Sequence, residues 1–250
     1  MNTQTIHDVE PQLAANRTFW CGWSGTEPGV DLPIYRSGIA HPLLNGVLRV
    51  RSRPIGDAID EARRELSGLP WGWWVGADSD PGTEALLLAR GATLFADMPV
   101  MAVDTSKYQD FSAPPSLKIV PATTRDEMTD LVRAYAGPLG HDVTNLNPVV
   151  AAEMNYASLD VLRLAGIVDG TTVATCTLSL GTEVAALYCI ATDPAYRRRG
   201  IATALTVEAV RIAAESGRRV VTLQASSEGE PVYRRIGFET VSRYHCYQLT

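Results

Sequence analysis

The stretch ATDPAYRRRGIATAL, residues 191–205, decides how this chain folds and what it binds. A strand that ends near Thr192 runs through a tight turn, and three consecutive arginines then precede Gly200 and an apolar helix. A run of charge is most often only a solvated surface. The alternatives are a patch for nucleic acid and a cradle for one small phosphorylated ligand.

The charge of the whole chain separates these alternatives. The 250 residues include 22 Lys and Arg against 28 Asp and Glu, a formal net charge of −6. A protein that binds nucleic acid normally spreads basic residues over a whole face. Here the arginines form one local cluster in an acidic chain, which predicts a single small anion and no nucleic-acid partner.

The local backbone at this turn suits a diphosphate. The first four amides of a helix have no partner within the helix, and the helix dipole adds partial positive charge. Gly200 and Ala202 leave the backbone open to a ligand. Consecutive amides can therefore form a nest for phosphate oxygens, which arginine side chains reinforce. Because no Gly-x-x-x-x-Gly-Lys-Ser/Thr loop is present, we expect the diphosphate to be held without hydrolysis.

Composition sets the class of protein. Apolar residues make up 46% of the chain and charged residues 20%, as in an ordinary globular protein. No apolar run approaches the ~18 residues of a membrane span, and the opening residues lack the features of a secretory signal. The four cysteines, Cys21, Cys176, Cys189 and Cys246, show neither a Cys-x-x-Cys pair nor a metal-ligand spacing. We therefore expect a cytoplasmic protein with reduced thiols, no metal and no membrane partner.

A polar segment with Pro114 and Pro115 separates two patterned regions, and predicts domains at 1–112 and 117–250. Hydrophobic periodicity and turn residues predict the elements of the second domain. Its strands are predicted at 117–121, 160–168, 171–180, 184–191 and 219–224, with one or two closing strands at 238–249, and its helices at 125–136, 148–158, 201–217 and 230–236. Thr123 or Thr124 is the expected cap of the first of these helices.

The first half repeats part of this order. Strands are predicted at 43–50, 71–76 and 98–104, and helices at 57–66 and 82–90. The segment LLLARGATLFADMPVMAVD takes the place that PVYRRIGFETVSRYHCYQL has in the second half, so an internal duplication is predicted. The matching turn in the first half would be Arg51-Ser52-Arg53-Pro54-Ile55-Gly56, where Pro54 removes an amide from the nest.

Two motifs of the second half carry a family resemblance. Residues 197–202 resemble the Gln/Arg-x-x-Gly-x-Gly/Ala turn of the GNAT superfamily of acetyltransferases, with Pro194 three residues before it. The later segment LQASSEGEPVYRRIGF, residues 223–238, resembles the strand and helix that follow in that family, including its Tyr-x-x-x-Gly-Phe ending. The resemblance covers residues 117–250, whereas the first half resembles at most a degenerate copy.

The resemblance implies an α/β fold with a mixed, mostly antiparallel sheet, flanking helices and a tandem of two GNAT-like domains. Acetyl-CoA, as a co-substrate, would lie between two splayed central strands. The amide of Ile190 would polarise the thioester carbonyl, and Tyr233 would protonate the departing thiolate. The remaining positions that the resemblance assigns to acetyl-CoA are Ala191, Thr192, Arg197, Arg198, Arg199, Gly200, Ile201, Ala202, Thr203 and Ser226.

The sequence departs from the family at the proton acceptor. Many members have a glutamate on the strand before the turn, where this chain has Ala186. Glu183, Asp142, His141 and a chain of water to the surface all remain open as the base. The acceptor is expected to be a small-molecule or peptide amine, and the protein a monomer or a homodimer.

Three further alternatives remain. The segment WGWWV, residues 71–75, is expected to be a core strand, or else an aromatic wall facing an acceptor pocket. Cys189 could carry an acyl group, but its dense apolar strand favours a buried thiol. One competing function is a non-catalytic acyl-CoA-binding or sensing protein, which the missing glutamate favours, and another is a scaffold that has lost both binding and transfer.

Overall fold

The structure is a computed structural model that describes residues 5–156 and 160–249. Contacts between residues divide the chain into two compact units. The first unit comprises Met1–Asp8 and Met101–Val241, and the second comprises Val9–Val100 and Ser242–Thr250. The domains 1–112 and 117–250 are predicted from the sequence alone, and this division of the chain remains a proposal.

In the described residues of the 101–241 unit, five strands lie side by side, in the spatial order 220–224, 185–192, 171–180, 161–168 and 117–121. These are β5 (Leu117–Pro121), β6 (Val161–Val168), β7 (Thr171–Leu180), β8 (Ala185–Thr192) and β9 (Val220–Gln224). The pairs from β5 to β8 are antiparallel, and β8 pairs with β9 in parallel. The expected mixed and mostly antiparallel α/β fold is therefore confirmed.

The helices of this unit, as far as the structure describes it, are α4 (Arg125–Ala136), α5 (Asn147–Asn155), α6 (Ile201–Glu215) and α7 (Glu230–Ile236). At the start of α4, Thr124 accepts a hydrogen bond from the Glu127 amide, and the Glu127 carboxylate accepts from the Thr124 amide. This reciprocal capping box confirms Thr124 as the cap. Helix α5 ends at Asn155, earlier than predicted, and Ser158 lies outside the described residues.

Helix α6 packs on the sheet through the predicted apolar stripe. Ile201, Leu205 and Ala209 are buried in one cluster with Leu178 and Leu187. A Cβ added to Gly166 would stand 2.8 Å from Cδ1 of Leu205, so that glycine lets the helix approach the strand closely. This packing fixes the amino end of α6 at the carboxyl end of β8, which is where the site lies.

The second unit begins with α1 (Val9–Gly22), a helix that the sequence analysis does not predict. Its buried face includes Gln12, Asn16 and Arg17 beside apolar side chains, and these polar residues obscure the amphipathic pattern. Arg17 forms ion pairs with the buried Asp78 and with Glu10. Helix α1 is therefore held partly by charge, which periodicity cannot reveal.

The other elements of this unit follow the prediction in order and differ in length. They are β1 (Ile34–Arg36), which was not predicted, β2 (Asn45–Val47), α2 (Ile55–Glu65), β3 (Gly72–Val75) and α3 (Thr83–Leu88). Strands β4 (Thr93–Asp104) and β10 (Glu239–Gln248) each have residues in both units. The closing segment of the chain is thus one strand, and the carboxyl-terminal part of β10 pairs antiparallel with β3.

The WGWWV segment is a core strand, as the simpler of its two interpretations predicts. Trp73 is buried in the apolar cluster beside α2 and makes a ring contact with the half-buried Trp71. Trp74 is also buried and makes an edge-to-face contact with Tyr244. In the described part of the chain, no helix has the length and apolar character of a membrane span.

Candidate acyl-transfer site

A β-bulge interrupts β8 near its carboxyl end. Thr175 pairs with Ala191 and Thr177 pairs with Tyr188, so Cys189 and Ile190 together stand opposite one residue of β7. Cys189 has a left-handed backbone, with φ of +48°. Its carbonyl accepts a hydrogen bond of 2.6 Å from the Thr175 hydroxyl, which holds the bulge in place. A bulge re-aims the backbone and side chains that follow it, here those of Ile190.

Strand β8 extends beyond its parallel partner. The register with β9 joins Ala185, Ala186 and Leu187 to residues 221–223. Strand β8 then continues to Thr192, whereas β9 ends at Gln224. The bulge and the residues after it therefore lie past the end of the parallel pairing, where an extended ligand arm could lie along the strand.

The turn after β8 has a left-handed residue on either side of Arg199. Asp193 caps a short 3₁₀ helix, Pro194–Tyr196, by accepting a hydrogen bond of 2.8 Å from the Ala195 amide. Arg198 then has φ of +59° and Gly200 has φ of +79°, and α6 begins at Ile201. Alternation of right- and left-handed residues makes successive amides converge, which is the geometry of an anion nest.

Two of the three arginines brace the turn itself. The Arg197 Nε donates to the Thr192 carbonyl at 3.3 Å, and Nη2 of Arg199 donates to the Ala195 carbonyl at 2.9 Å. The Arg199 guanidinium also lies 5.0 Å from the centre of the Tyr196 ring. The amides of Ile201, Ala202 and Thr203 lie in the first turn of α6 and have no partner within the helix. The backbone is thus the main donor surface of the turn.

Tyr233 and Ser226 lie on α7 and just before it. The Ser226 hydroxyl accepts a hydrogen bond of 3.1 Å from the Gly229 amide, which uses this side chain to organise the start of the helix. Tyr233 is 8% exposed and packs in the same apolar cluster as Ile201 and Phe238. Burial raises the pKa of the Tyr233 phenol, so the hydroxyl stays protonated at neutral pH.

The three residues predicted as candidate bases differ in their surroundings. Glu183 is exposed in the turn before β8, seven residues before Ile190, and a strand rises ~3.3 Å per residue, which separates the two by on the order of 20 Å. Asp142 is exposed, and hydrogen bonds from the Thr144 hydroxyl and amide lower the pKa of its carboxyl. His141 is half-buried, and its ring lies edge-on to Tyr135 at 5.6 Å. Of these three, only His141 approaches a buried polar cluster.

The sequence analysis did not predict this buried polar cluster. The Tyr135 hydroxyl donates to Oε1 of Glu153 at 2.7 Å, and Nε of Arg163 donates to Oε2 of Glu153 at 2.8 Å. All three residues are buried. A signal did exist, because Glu153 is the one charged residue of α5 and Arg163 the one charged residue of β6. Opposite charges isolated in two apolar elements favour a buried ion pair.

Cys189 has the surroundings of an inert thiol. Burial raises its pKa, and the nearby Glu153 carboxylate raises it further. A thiol reacts as its thiolate, so this shift argues against an acyl-cysteine intermediate. Among the described residues, no group of three or more His, Cys, Asp or Glu side chains has an arrangement that could hold a metal ion.

The turn at residues 51–56, which the sequence analysis aligns with residues 197–202, has different hydrogen-bond donors. Ser52 has φ of +52°, so it has the left-handed backbone of the aligned Arg198. Its amide donates a hydrogen bond of 2.6 Å to the Asp80 carboxylate. Pro54, which aligns with Gly200, contributes no amide. At this turn the Ser52 amide is therefore already bonded to a carboxylate of the protein itself.

Comparisons with known proteins show which proteins this part of the chain is similar to. Residues 123–241 match the family described as the acetyltransferase (GNAT) domain. A stretch of 60 residues is 43% identical to an uncharacterised N-acetyltransferase of Methanocaldococcus jannaschii. That match covers 23% of this chain and 26% of the relative, so it spans about a quarter of the relative's length.

Solved structures extend the likeness in fold to nearly the whole chain. A GCN5-related N-acetyltransferase from Kribbella flavida has a TM-score of 0.71 at 17% identity, over 95% of this chain and 94% of that one. A GCN5-related N-acetyltransferase-like protein from Streptococcus suis has a TM-score of 0.59 at 11% identity, over 96% and 99%. At such identities the likeness concerns the fold.

Proposed function

Because residues 123–241 form a domain of the GNAT acetyltransferase family, we propose that this protein transfers an acetyl group from acetyl-CoA directly to a primary amine. The observation that supports the proposal is that the bulge at Cys189 and the left-handed turn at Arg198–Gly200 lie close together along the chain. One feature suits a thioester and the other suits its diphosphate. They are joined by a few residues of one strand and turn.

In this proposal the turn holds the diphosphate through its backbone. The amides of Arg199, Gly200, Ile201 and Ala202 would donate to phosphate oxygens, and the dipole of the 15-residue helix α6 would add to the attraction. Arg198 is exposed and would supply a charge-assisted contact. This arrangement explains an arginine cluster in an acidic protein without any nucleic acid.

The acyl group would react at the bulge. The Thr192 amide would bind the pantetheine arm, and the Ile190 amide would donate to the thioester oxygen as negative charge develops there. The amine nitrogen bonds to the carbonyl carbon, and the bond from that carbon to sulfur breaks. Tyr233 gives its proton to the departing thiolate and recovers one from the substituted nitrogen. The protein's main contribution is alignment of the two reactants.

The test measures thiol release from acetyl-CoA in the presence of candidate amines. The panel contains an aminoglycoside, a polyamine, free amino acids and a peptide with a free amino terminus, and a reaction without amine corrects for hydrolysis. We expect amine-dependent thiol release and a product heavier by one acetyl group. Absence of acetyl-CoA binding in calorimetry would overturn the proposal.

A second candidate function has one observation in its favour. Ala186 is buried where many family members have a glutamate, which suits a protein that binds acyl-CoA without transferring the acyl group. Tight acetyl-CoA binding with no thiol release for any amine of the panel would favour this candidate. The monomer or homodimer expectation and the identity of the acceptor stay proposals.

A further inference from the structure

The buried cluster of Tyr135, Glu153 and Arg163 brings a carboxylate to the site from an unexpected element. Glu153 lies on α5, and both of its carboxylate oxygens accept hydrogen bonds, one from Tyr135 and one from Arg163. Tyr135 is 1% exposed, Glu153 is 2% exposed and Arg163 is 7% exposed. A buried carboxylate with two charge-assisted partners is fixed in position and protected from bulk water.

The strand register places this cluster on the face of the sheet opposite α6. Arg163 pairs with Thr177, and Thr177 pairs with Tyr188, so these three side chains share one face. Because side chains alternate along a strand, Ala186 lies on the same face as Tyr188. Ala185 and Leu187 point the other way and pack with α6. The cluster therefore occupies the face onto which a glutamate at 186 would point.

The cluster also acts electrostatically on the bulge. The Glu153 charge raises the pKa of the Cys189 thiol, after burial, and Arg163 opposes it. Cys189 is the residue directly before Ile190, whose amide is the proposed donor to the thioester. The titratable or charged side chains that interact with Glu153 are Tyr135 of α4, Arg163 of β6 and Cys189 of β8. Beyond them, the His141 ring contacts Tyr135, and the Arg163 guanidinium lies over the Tyr156 ring.

We propose that Glu153 receives, through the Tyr135 hydroxyl, the proton that the acceptor ammonium must lose before it attacks. This inference rests on the proposed acetyl transfer. The amine passes its proton to the Tyr135 oxygen while the Tyr135 proton moves to Oε1 of Glu153, which leaves a free amine, an unchanged tyrosine and a neutral carboxylic acid. Glu153 later releases that proton to solvent, so the cluster returns to its starting state.

The surroundings of Tyr135 suit a relay. Burial, followed by the Glu153 charge, raises the pKa of its phenol, so the group stays a hydroxyl that donates to Glu153 and has a lone pair left to accept. The half-buried His141 ring lies edge-on to Tyr135, with 5.6 Å between the ring centres. The opposing interpretation is that the cluster only holds α4, α5 and β6 together.

The experiment compares Glu153→Gln and Tyr135→Phe with the wild-type chain. Glu208→Gln, which removes an α6 carboxylate outside the site, serves as the matched control. Turnover is measured across pH with two amine acceptors, one strongly and one weakly basic. With the strongly basic amine near pH 7, both cluster variants should lose on the order of 10²-fold in kcat/KM. The loss should shrink at higher pH and with the weakly basic amine, because those amines arrive already deprotonated.

If the cluster has only a structural role, the turnover of the variants should depend on pH and on the amine in a different way. A loss of the same size at every pH and for both amines would overturn the relay, as would wild-type turnover in both variants. If Glu153→Gln does not fold, Tyr135→Phe keeps the ring and provides the same comparison. A wild-type protein that acetylates no amine overturns the proposed function together with this inference, whereas a uniform loss overturns the inference alone.

Discussion

The ring of Phe111 lies against the backbone of Gly200. A Cβ on that glycine would stand 2.9 Å from Cζ and 3.0 Å from Cε1 of the ring, and Gly200 has φ of +79°. Two independent constraints therefore demand glycine at this position: a left-handed backbone at the head of α6 and the lack of space beside an aromatic ring. Phe111 itself is 43% exposed.

Gly200→Glu is expected to abolish acetyl-CoA binding. The new carboxylate would add bulk and negative charge where the diphosphate must approach the backbone. The variant should also melt at a lower temperature than the wild type, because a side chain in a left-handed conformation costs on the order of 1–2 kcal/mol. Calorimetric titration with CoA, well below the melting temperature, measures the loss.

Controls separate charge from strain at the same turn. Gly200→Ala carries the strain without the charge, and Phe111→Ala in the same chain removes the clash with the ring. Arg198→Ala should weaken CoA binding less than Gly200→Glu, because the amides are the main donors. Unchanged CoA affinity in Gly200→Glu would contradict the proposed site.

The full chain is expected to bind one equivalent of CoA. At the turn of residues 51–56, the Asp80 carboxylate already accepts from the Ser52 amide, and Pro54 has no amide to offer. Asp80→Ala should leave the stoichiometry at one, because the missing Pro54 amide cannot be restored in this way. If calorimetry gives two equivalents of CoA for the wild-type chain, the turn at residues 51–56 also binds CoA, and the prediction is wrong.

Tyr233→Phe tests the proposed proton donor. The change keeps the ring that packs against Phe238 at 5.9 Å between ring centres, and removes only the hydroxyl. Turnover should fall by on the order of 10²-fold, with little change in CoA affinity. The measurement is steady-state thiol release under conditions in which the chemical step limits the rate. Turnover close to that of the wild type would return Tyr233 to a purely structural role.

Glu127→Gln tests the capping box of α4 through its pH dependence. Hydrogen bonds from the amides and hydroxyls of Thr123 and Thr124 lower the pKa of Glu127 from 4.5 to about 2. A carboxyl whose pKa is lower in the folded state stabilises that state fully above its unfolded pKa, and this contribution fades as the pH falls toward 2. The variant should therefore melt below the wild type at pH 7, and the difference should disappear in acid. Thermal scans between pH 7 and pH 2 measure it, and a constant difference across that range would refute the assignment.

The sequence predicted those structural features that depend on nearby residues. The turn at Gly200, the helix that follows it and the Thr124 cap depend on neighbours within a few positions, and each lies where it was predicted. The pairing of Glu153 with Arg163 depends on how α5 meets β6, and although each is the one charged residue of its element, the sequence does not show that the two elements meet. Helix α1 was missed for a related reason, since Arg17 on its buried face takes its partner Asp78 from far along the chain.

The register of β3 with β10 has a consequence for biosynthesis. Trp73 pairs with Tyr247, so a strand made early in synthesis awaits a partner that is made much later. The unit that begins at Val9 cannot complete its pairing until residues 242–248 have been made, whereas Met101–Val241 can assemble before then. Non-local pairing of this kind slows folding. We therefore expect nascent chains that stop short of Ser242 to protect the later-made unit from proteases while the earlier-made one stays sensitive.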